Sequence, residues 1–255
     1  MDLGNRTFHC WFEDGHGSMN VVRALERSCD VYFYEVALKT GIQRIKKMAL
    51  RLGLGFPTGI DIPGERAGII PSHEWKLATH GVVWTPGETV NAGIGQGYVL
   101  TTPMQLAVMI ARLANGAFAV RPSLQLLREQ PEFEPLGISP AVMRIIRKGM
   151  LQVTHGSLGT ARNYNLPSRF GGMAGKTGTV QVKRITKEQR EAGITKNIER
   201  PWKERDHALF VGYAPVKNPR YAVSVVVEHG GSGSSMAAPI AQAALQRALM
   251  TEDKA

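Results

Sequence analysis

The sequence predicts an α+β fold: helices first, then an antiparallel sheet, then one more helix packing on that sheet. Three observations carry this expectation. Apolar residues recur at helical spacing between residues 20 and 150, β-branched residues gather in short runs between residues 173 and 228, and an alanine-rich stretch closes the chain. With 255 residues, 43% of them hydrophobic, the chain has ample material for a packed core. No run of 18 apolar residues occurs, and no signal-peptide pattern opens the chain.

The elements follow in order. From Asn20 to Gly41, apolar Val22, Leu25, Cys29, Tyr32, Phe33 and Val36 give the spacing of one amphipathic helix, with Asn20 as N-cap and Gly41 as stop. Ile42, Ile45, Met48, Ala49 and Leu52 mark a second helix ending at Gly53, and the frequent Gly and Pro up to Glu88 predict an irregular connection. Thr102-Pro103-Met104-Gln105 is a capping box with proline at the first helical position, so a helix runs from there to Gly116. Ser139-Pro140 opens another, with Val142, Ile145, Ile146 and Met150 as its expected inner face. Strands are expected at 173–182, 208–214 and 221–228, then a flexible Gly230–Ser235 and the terminal helix. No repeat or second domain is visible, so residues 1–255 are expected to form one domain.

The chemistry is concentrated at Gly175-Lys176-Thr177-Gly178-Thr179, which runs into the alternating Val180-Gln181-Val182. A Lys-Thr-Gly on a strand edge is one of three motifs that build a penicillin-type serine acyl-transfer site. Lys176 supplies a fixed cation, Thr177 and Thr179 supply hydroxyls for a substrate carboxylate, and Gly178 lets an acyl chain lie close to the strand. The candidate second motif is Ser28-Cys29-Asp30. Periodicity alone would make Ser28 an ordinary helix residue. The third motif, Ser-x-x-Lys, is absent: no serine in the sequence has lysine three residues on.

Ser28–Tyr34, Thr58–Arg66, Gly93–Tyr98 continuing through Thr102–Ala107, Gly159-Thr160-Ala161, the Lys-Thr-Gly strand and Phe210–Pro215 occur here in one order. In these six segments the chain resembles the penicillin-binding protein 2 family, the class B peptidoglycan D,D-transpeptidases of cell elongation. The resemblance implies a transpeptidase fold, with an antiparallel sheet flanked by helices, and places the nucleophile, a pedestal and a membrane anchor upstream of Met1. It implies acyl transfer from wall stem peptides through a serine ester, binding of β-lactam antibiotics, and elongation-complex membrane proteins (a glycosyltransferase and a scaffold) as partners. The implied location is the periplasmic face of the bacterial inner membrane. Ser28 would relay a proton between the absent motif lysine and Lys176. Asp30 stands where many relatives have asparagine, and the Thr179 N–H would form half of an oxyanion hole. Gln96 and Gly97 would lie near the groove in a positioning role, and Ser28 would sit at a break between two helices. The alternatives are a serine β-lactamase or D,D-carboxypeptidase sharing the motifs, for which Ser28 and Lys176 stand far apart in sequence, and a non-catalytic scaffold.

The net charge of +10 raises nucleic acid as a partner, but aromatic residues are only 7% and no recognition motif appears, so none is expected. Basic residues are densest from Lys183 to Arg205, interleaved with Glu188, Glu191, Glu199 and Glu204, the mixture of a solvated loop or of a flap beside the groove. His155 and His207 read as structural. Cys10, His16 and Cys29 supply three ligands of zinc type, with His9 or Asp14 as a fourth candidate. A structural zinc, one disulfide and two free thiols remain open. The resembled family places metal-ligand residues at similar offsets before its second motif.

Overall fold

A computed structural model describes residues 1–125, 131–183 and 197–252. The chain folds into two compact units, 1–149 and 150–255.

The first unit is mainly helical. A two-residue hairpin, β1 (Asp2–Leu3) with β2 (Arg6–Thr7), opens it, and α1 (Val21–Arg27) and α2 (Asp30–Thr40) follow. The single helix expected from periodicity is therefore broken. Asn20 caps α1 by accepting from the Arg23 N–H, and Ser28 ends it in the left-handed region at φ 54°, ψ 53°. Two bonds close this end, from the Ser28 N–H to the Leu25 carbonyl and from the Cys29 N–H to the Ala24 carbonyl. That pair is a Schellman closure with serine where glycine is usual. Next come α3 (Ile42–Arg51), α4 (His73–His80), α5 (Pro86–Gly93) and α6 (Pro103–Ala114).

Helix α4 lies inside the stretch expected to be irregular, and α5 begins at its end. Their signals were local: Ser72 accepts from the Trp75 N–H, while Thr85 and Glu88 form a capping box with Pro86 inside it. Between α3 and α4 the chain is irregular but tightly held. The Glu65 carboxylate accepts from the Thr58 N–H and hydroxyl and from the Gly59 N–H. Fully buried Gln105 donates to the carbonyls of Phe56 and Ala67 at 2.7 and 2.8 Å. The capping residue of α6 thus also anchors the preceding connection. Helices α2 and α5 approach so closely that a Cβ on Gly93 would lie 2.3 Å from the Ala37 Cβ. Helix α7 (Pro140–His155) buries Met143, Met150 and Val153, while Val142 and Ile145 are exposed. Of the expected inner face, Met150 is buried and Ile146 partly buried, whereas Val142 and Ile145 are corrected: Met143 and Val153 are buried in their stead.

The second unit is built on a three-stranded antiparallel sheet ordered β3 (Ala174–Val180), β4 (His207–Ala214), β5 (Tyr221–Val227), close to the expected bounds. The terminal helix α8 (Ala238–Glu252) sets Ala238, Ala241, Leu245 and Leu249 into one core with Phe210, Ala208 and Ala214, against which Val223, Val225 and Val227 pack. The Gly230–Ser235 stretch is no loose linker. Gly233 starts a π turn, and a Cβ on it would meet the Gly178 and Leu209 carbonyl oxygens at 2.2 and 2.3 Å. Asp206 is buried as a hub: its carboxylate takes the Val182 N–H, the Arg200 guanidinium and the Asn197 amide, and its carbonyl takes the Gly231 N–H. The basic 183–205 segment, including the suggested flap, falls largely outside the described residues.

One buried ion pair gives a test of the first unit. Lys76 on α4 meets Glu88 on α5, their side chains 6% and 19% exposed. Burial pushes the Glu88 carboxyl up, but hydrogen bonds from Lys76 and Thr85 outweigh it and hold the group below its ordinary value of 4.5. A depressed carboxyl stabilises above its unfolded pKa, and that contribution is lost as pH falls through the folded value. Lys76→Met is expected to cost about 3–5 kcal/mol in denaturant unfolding by stranding a buried carboxylate. In Glu88→Gln the loss of stability that sets in below pH 4.5 should shrink.

Candidate active site

In the first unit the second motif sits at the α1–α2 hinge. Ser28 is the left-handed terminator of α1, Cys29 is the buried N-cap of α2, and Asp30 is its first residue, where a carboxylate complements the helix N-terminus. The left-handed conformation costs a non-glycine L-residue about 1–2 kcal/mol, and such strain gathers at functional sites. Residues far back in the chain hold this hinge. The Trp11 backbone N–H donates to Asp30 Oδ2 at 2.9 Å, and the Trp11 indole N–H donates to the Ser28 and Arg27 carbonyls at 2.8 and 3.1 Å. Tyr34, buried on α2, donates its hydroxyl to the His9 carbonyl at 3.2 Å. Burial first, and Asp30 next, push the Tyr34 phenol well up, so it stays a donor.

The ligand atoms of Cys10, His16 and Cys29 all lie within 4.8 Å of one another. Cys10 Sγ is 3.3 Å from His16 Nδ1, and the two thiols are not joined. His16 Nε2 is buried with no hydrogen-bond partner, an unsatisfied polar atom that calls for an explanation. Burial raises the Cys29 thiol, partly opposed by a backbone bond at Tyr32; burial and the nearby Arg27 lower His16, favouring its neutral form. Two sulfurs and one imidazole converging in this way fit a thiophilic metal such as zinc. His9 and Asp14 are exposed and are not part of the cluster. Gln96 and Gly97 occupy the turn after α5, where the Gln96 N–H donates to the Asn91 carbonyl and Gly97 has φ 71°.

In the second unit the register pairs Gly175 with Gly212, Thr177 with Phe210 and Thr179 with Ala208. These residues share the sheet face that carries α8, whereas Lys176 and Gly178 point to the opposite face. Packing demands glycine at 175, where a Cβ would lie 2.4 Å from the Phe210 ring. At Gly178 a Cβ would meet only the Leu209 Cβ, at 3.3 Å. Lys176 Nζ donates to the Thr177 carbonyl at 2.9 Å. The Thr177 hydroxyl lies 2.7 Å from that of Thr160, whose carbonyl in turn accepts from the Ser234 hydroxyl. Thr160 belongs to a segment that carried the family resemblance, but neither it nor Ser234 had an expected role; only pairing across the fold exposes their link to Thr177. His155 bonds with Thr154 and Asn165, and His207 accepts from the His229 N–H, as befits structural histidines.

Residues 2–246 match the profile of the penicillin binding protein transpeptidase domain. The chain is 35% identical to the peptidoglycan D,D-transpeptidase MrdA of Salmonella typhimurium over 92% of its own length and 39% of the relative's, and 36% identical to the Haemophilus influenzae MrdA over 93% and 37%. It thus spans well under half the length of these curated relatives. Among solved structures it is similar to Pseudomonas aeruginosa PBP2 in complex with WCK 5153, with 39% identity, TM-score 0.77, and 95% and 50% of the two chains covered. It is also similar to PBP2 in its complex with MreC from Helicobacter pylori, with 29% identity, TM-score 0.85, and 100% and 44% covered.

The hinge makes a quantitative expectation. Only glycine adopts the Ser28 backbone conformation without strain, so Ser28→Gly should be more stable than Ser28→Ala by about 1 kcal/mol in denaturant melts. Equal stabilities would remove the strain from the account.

Proposed function

The chain belongs to the penicillin-binding protein transpeptidase family, and on that premise we propose that it forms part of a peptidoglycan D,D-transpeptidase of cell elongation, contributing the Ser28-Cys29-Asp30 and Lys176-Thr177-Gly178 motifs. The observation that carries this reading is β3: among the described residues it is an edge strand, and it presents Lys176, Thr177, Gly178 and Thr179 along that edge. An extended stem peptide can add to such an edge by main-chain hydrogen bonds, with side chains of the strand selecting it. The Thr177 and Thr179 hydroxyls would then receive the terminal carboxylate, and Lys176 would supply a fixed cation from the other face of the same strand.

The attacking serine is not supplied by a Ser-x-x-Lys of this sequence. When it is supplied, its oxygen bonds to the penultimate D-Ala carbonyl carbon, and the bond from that carbon to the nitrogen of the last D-Ala breaks. Ser28 passes the proton to the departing amine, Asp30 orients that motif, and the Thr179 N–H faces the developing oxyanion. An acceptor amine then attacks the ester and frees the serine. A β-lactam presents the same carboxylate and acyl carbon and is trapped at the ester stage. Gln96 and Gly97 would have a positioning role beside the substrate.

A zinc ion held by Cys10, His16 and Cys29 would be structural, tying the loop before α1 to the hinge. The whole protein would work at the periplasmic face of the inner membrane beside a glycosyltransferase and a scaffold; relatives have been solved with MreC and within a peptidoglycan synthase complex. No helix among the described residues is long and apolar enough to cross a membrane.

Fluorescent penicillin tests the site. The protein with its nucleophile-bearing segment should be labelled covalently, and Lys176→Ala should slow labelling by about 100-fold. Undiminished labelling of that variant would overturn the reading. Elemental analysis of the same protein should find about one zinc per chain. Cys29→Ser should lose the metal and lower the melting temperature, and zinc should be released as pH falls, because binding needs deprotonated thiols.

A further inference from the structure

Trp11 has an unusual position for a large aromatic residue. Its side chain is 58% exposed, yet both of its N–H groups point inward to the second motif. A tryptophan kept for packing would bury its ring. Here the ring lies across the hinge, 5.6 Å from the His16 ring and 5.7 Å from Phe12, while the Arg27 guanidinium sits over the Phe12 face at 5.6 Å.

The three bonds made by Trp11 bracket the motif. The Arg27 carbonyl belongs to the last turn of α1, where carbonyls lack intrahelical partners. The Ser28 carbonyl belongs to the strained residue itself, and the Asp30 carboxylate begins the next helix. One residue thus engages the end of α1, the break and the start of α2. We propose that Trp11 is a positioning residue for the reaction: it fixes the left-handed turn at Ser28 and the Asp30 carboxylate together, so that the Ser28 hydroxyl is held in a single orientation for proton transfer. The inference rests on the reading of Ser28-Cys29-Asp30 as the second motif.

The contribution is a matter of direction more than of stability. The Schellman closure and the Asn20 cap form α1 without Trp11. Without the indole N–H, the left-handed turn at Ser28 is left to the Schellman bonds, and looser φ and ψ at this residue move the Cα–Cβ bond that carries the hydroxyl. A group that must accept and release a proton in one geometry loses rate from such freedom, whereas substrate affinity, set elsewhere, is untouched.

The test uses the full-length protein with its upstream nucleophile and separates penicillin dissociation from acylation by rapid-mixing kinetics. Trp11→Phe keeps a ring but loses the indole donor. A tryptophan analogue with sulfur in place of the indole N–H keeps the shape as well. Both should slow the acylation step about tenfold while leaving the dissociation constant within about twofold, the melting temperature and the metal content unchanged. If Trp11→Phe folds poorly, the analogue decides. Acylation by the analogue at the wild-type rate, with Ser28→Ala impaired, would overturn the role of Trp11. A rate loss accompanied by metal loss or a lowered melting temperature would also overturn it, in favour of plain structural support. If Ser28→Ala itself acylates normally, the second-motif reading fails and takes this inference with it.

Discussion

The first unit depends on one constraint: α1 must stop and α2 must start again within two residues, through a serine in the left-handed region. A glycine would make this turn without strain, but it has no hydroxyl to offer. The neighbouring chain therefore has to hold the conformation. Helix α1 closes on itself through the Ala24 and Leu25 carbonyls, Trp11 bonds both sides of the break, and Tyr34 reaches back to the His9 carbonyl. The loop between β2 and α1 carries Trp11 as well as Cys10 and His16. In the fold its order follows from the hinge, and the convergence of Cys10, His16 and Cys29 follows from the same approach.

The second unit solves a related problem with the opposite means, by removing side chains. Gly175 and Gly212 pair across β3 and β4, and the space they leave takes the Phe210 ring. With that ring fixed in the α8 core, strand alternation sends Lys176 to the other face and keeps Thr177 against Thr160, which Ser234 holds through its carbonyl. Gly233 extends the argument, because its backbone passes so close to Gly178 and Leu209 that no side chain fits.

These two units were unequally legible in the sequence. The strands and the terminal helix could be read from alternation and alanine content, because each buries one face against a single partner. The bounds of α3 and α6 were close for the same reason. The hinge was invisible to periodicity, since Val22, Leu25, Cys29, Tyr32 and Val36 keep helical spacing across a break that backbone hydrogen bonds create. Only the motif resemblance pointed to it. Helices α4 and α5 are too short for a periodic signal and are defined by their caps at Ser72 and Thr85. On α7 two apolar stripes compete, and the choice of 143 over 142 and 145 is made by tertiary contact. Of the candidate site, the residue types were legible. The support from Trp11, Thr160 and Ser234 was not, because it joins positions far apart in the chain.

A left-handed residue also marks the end of β5 in the second unit, where His229 has φ 54°. Its N–H donates to His207 Nδ1, its own Nδ1 bonds the Arg205 carbonyl, and its ring lies 4.5 Å from Trp202. Beside it, Asp206 joins Val182, Asn197, Arg200 and Gly231 in one buried knot. The exit of β3, the entry of β4 and the Gly-rich turn after β5 are thereby pinned to each other. A sheet edge that offers its main chain to a peptide must not slip in register, because a shift of one residue would turn Lys176 to the other face. The antiparallel ladder fixes the middle of the strand, and the knot around Asp206 fixes its end. The register that presents the Lys-Thr-Gly edge is therefore set by polar groups outside the motif, just as Ser28 is set by Trp11.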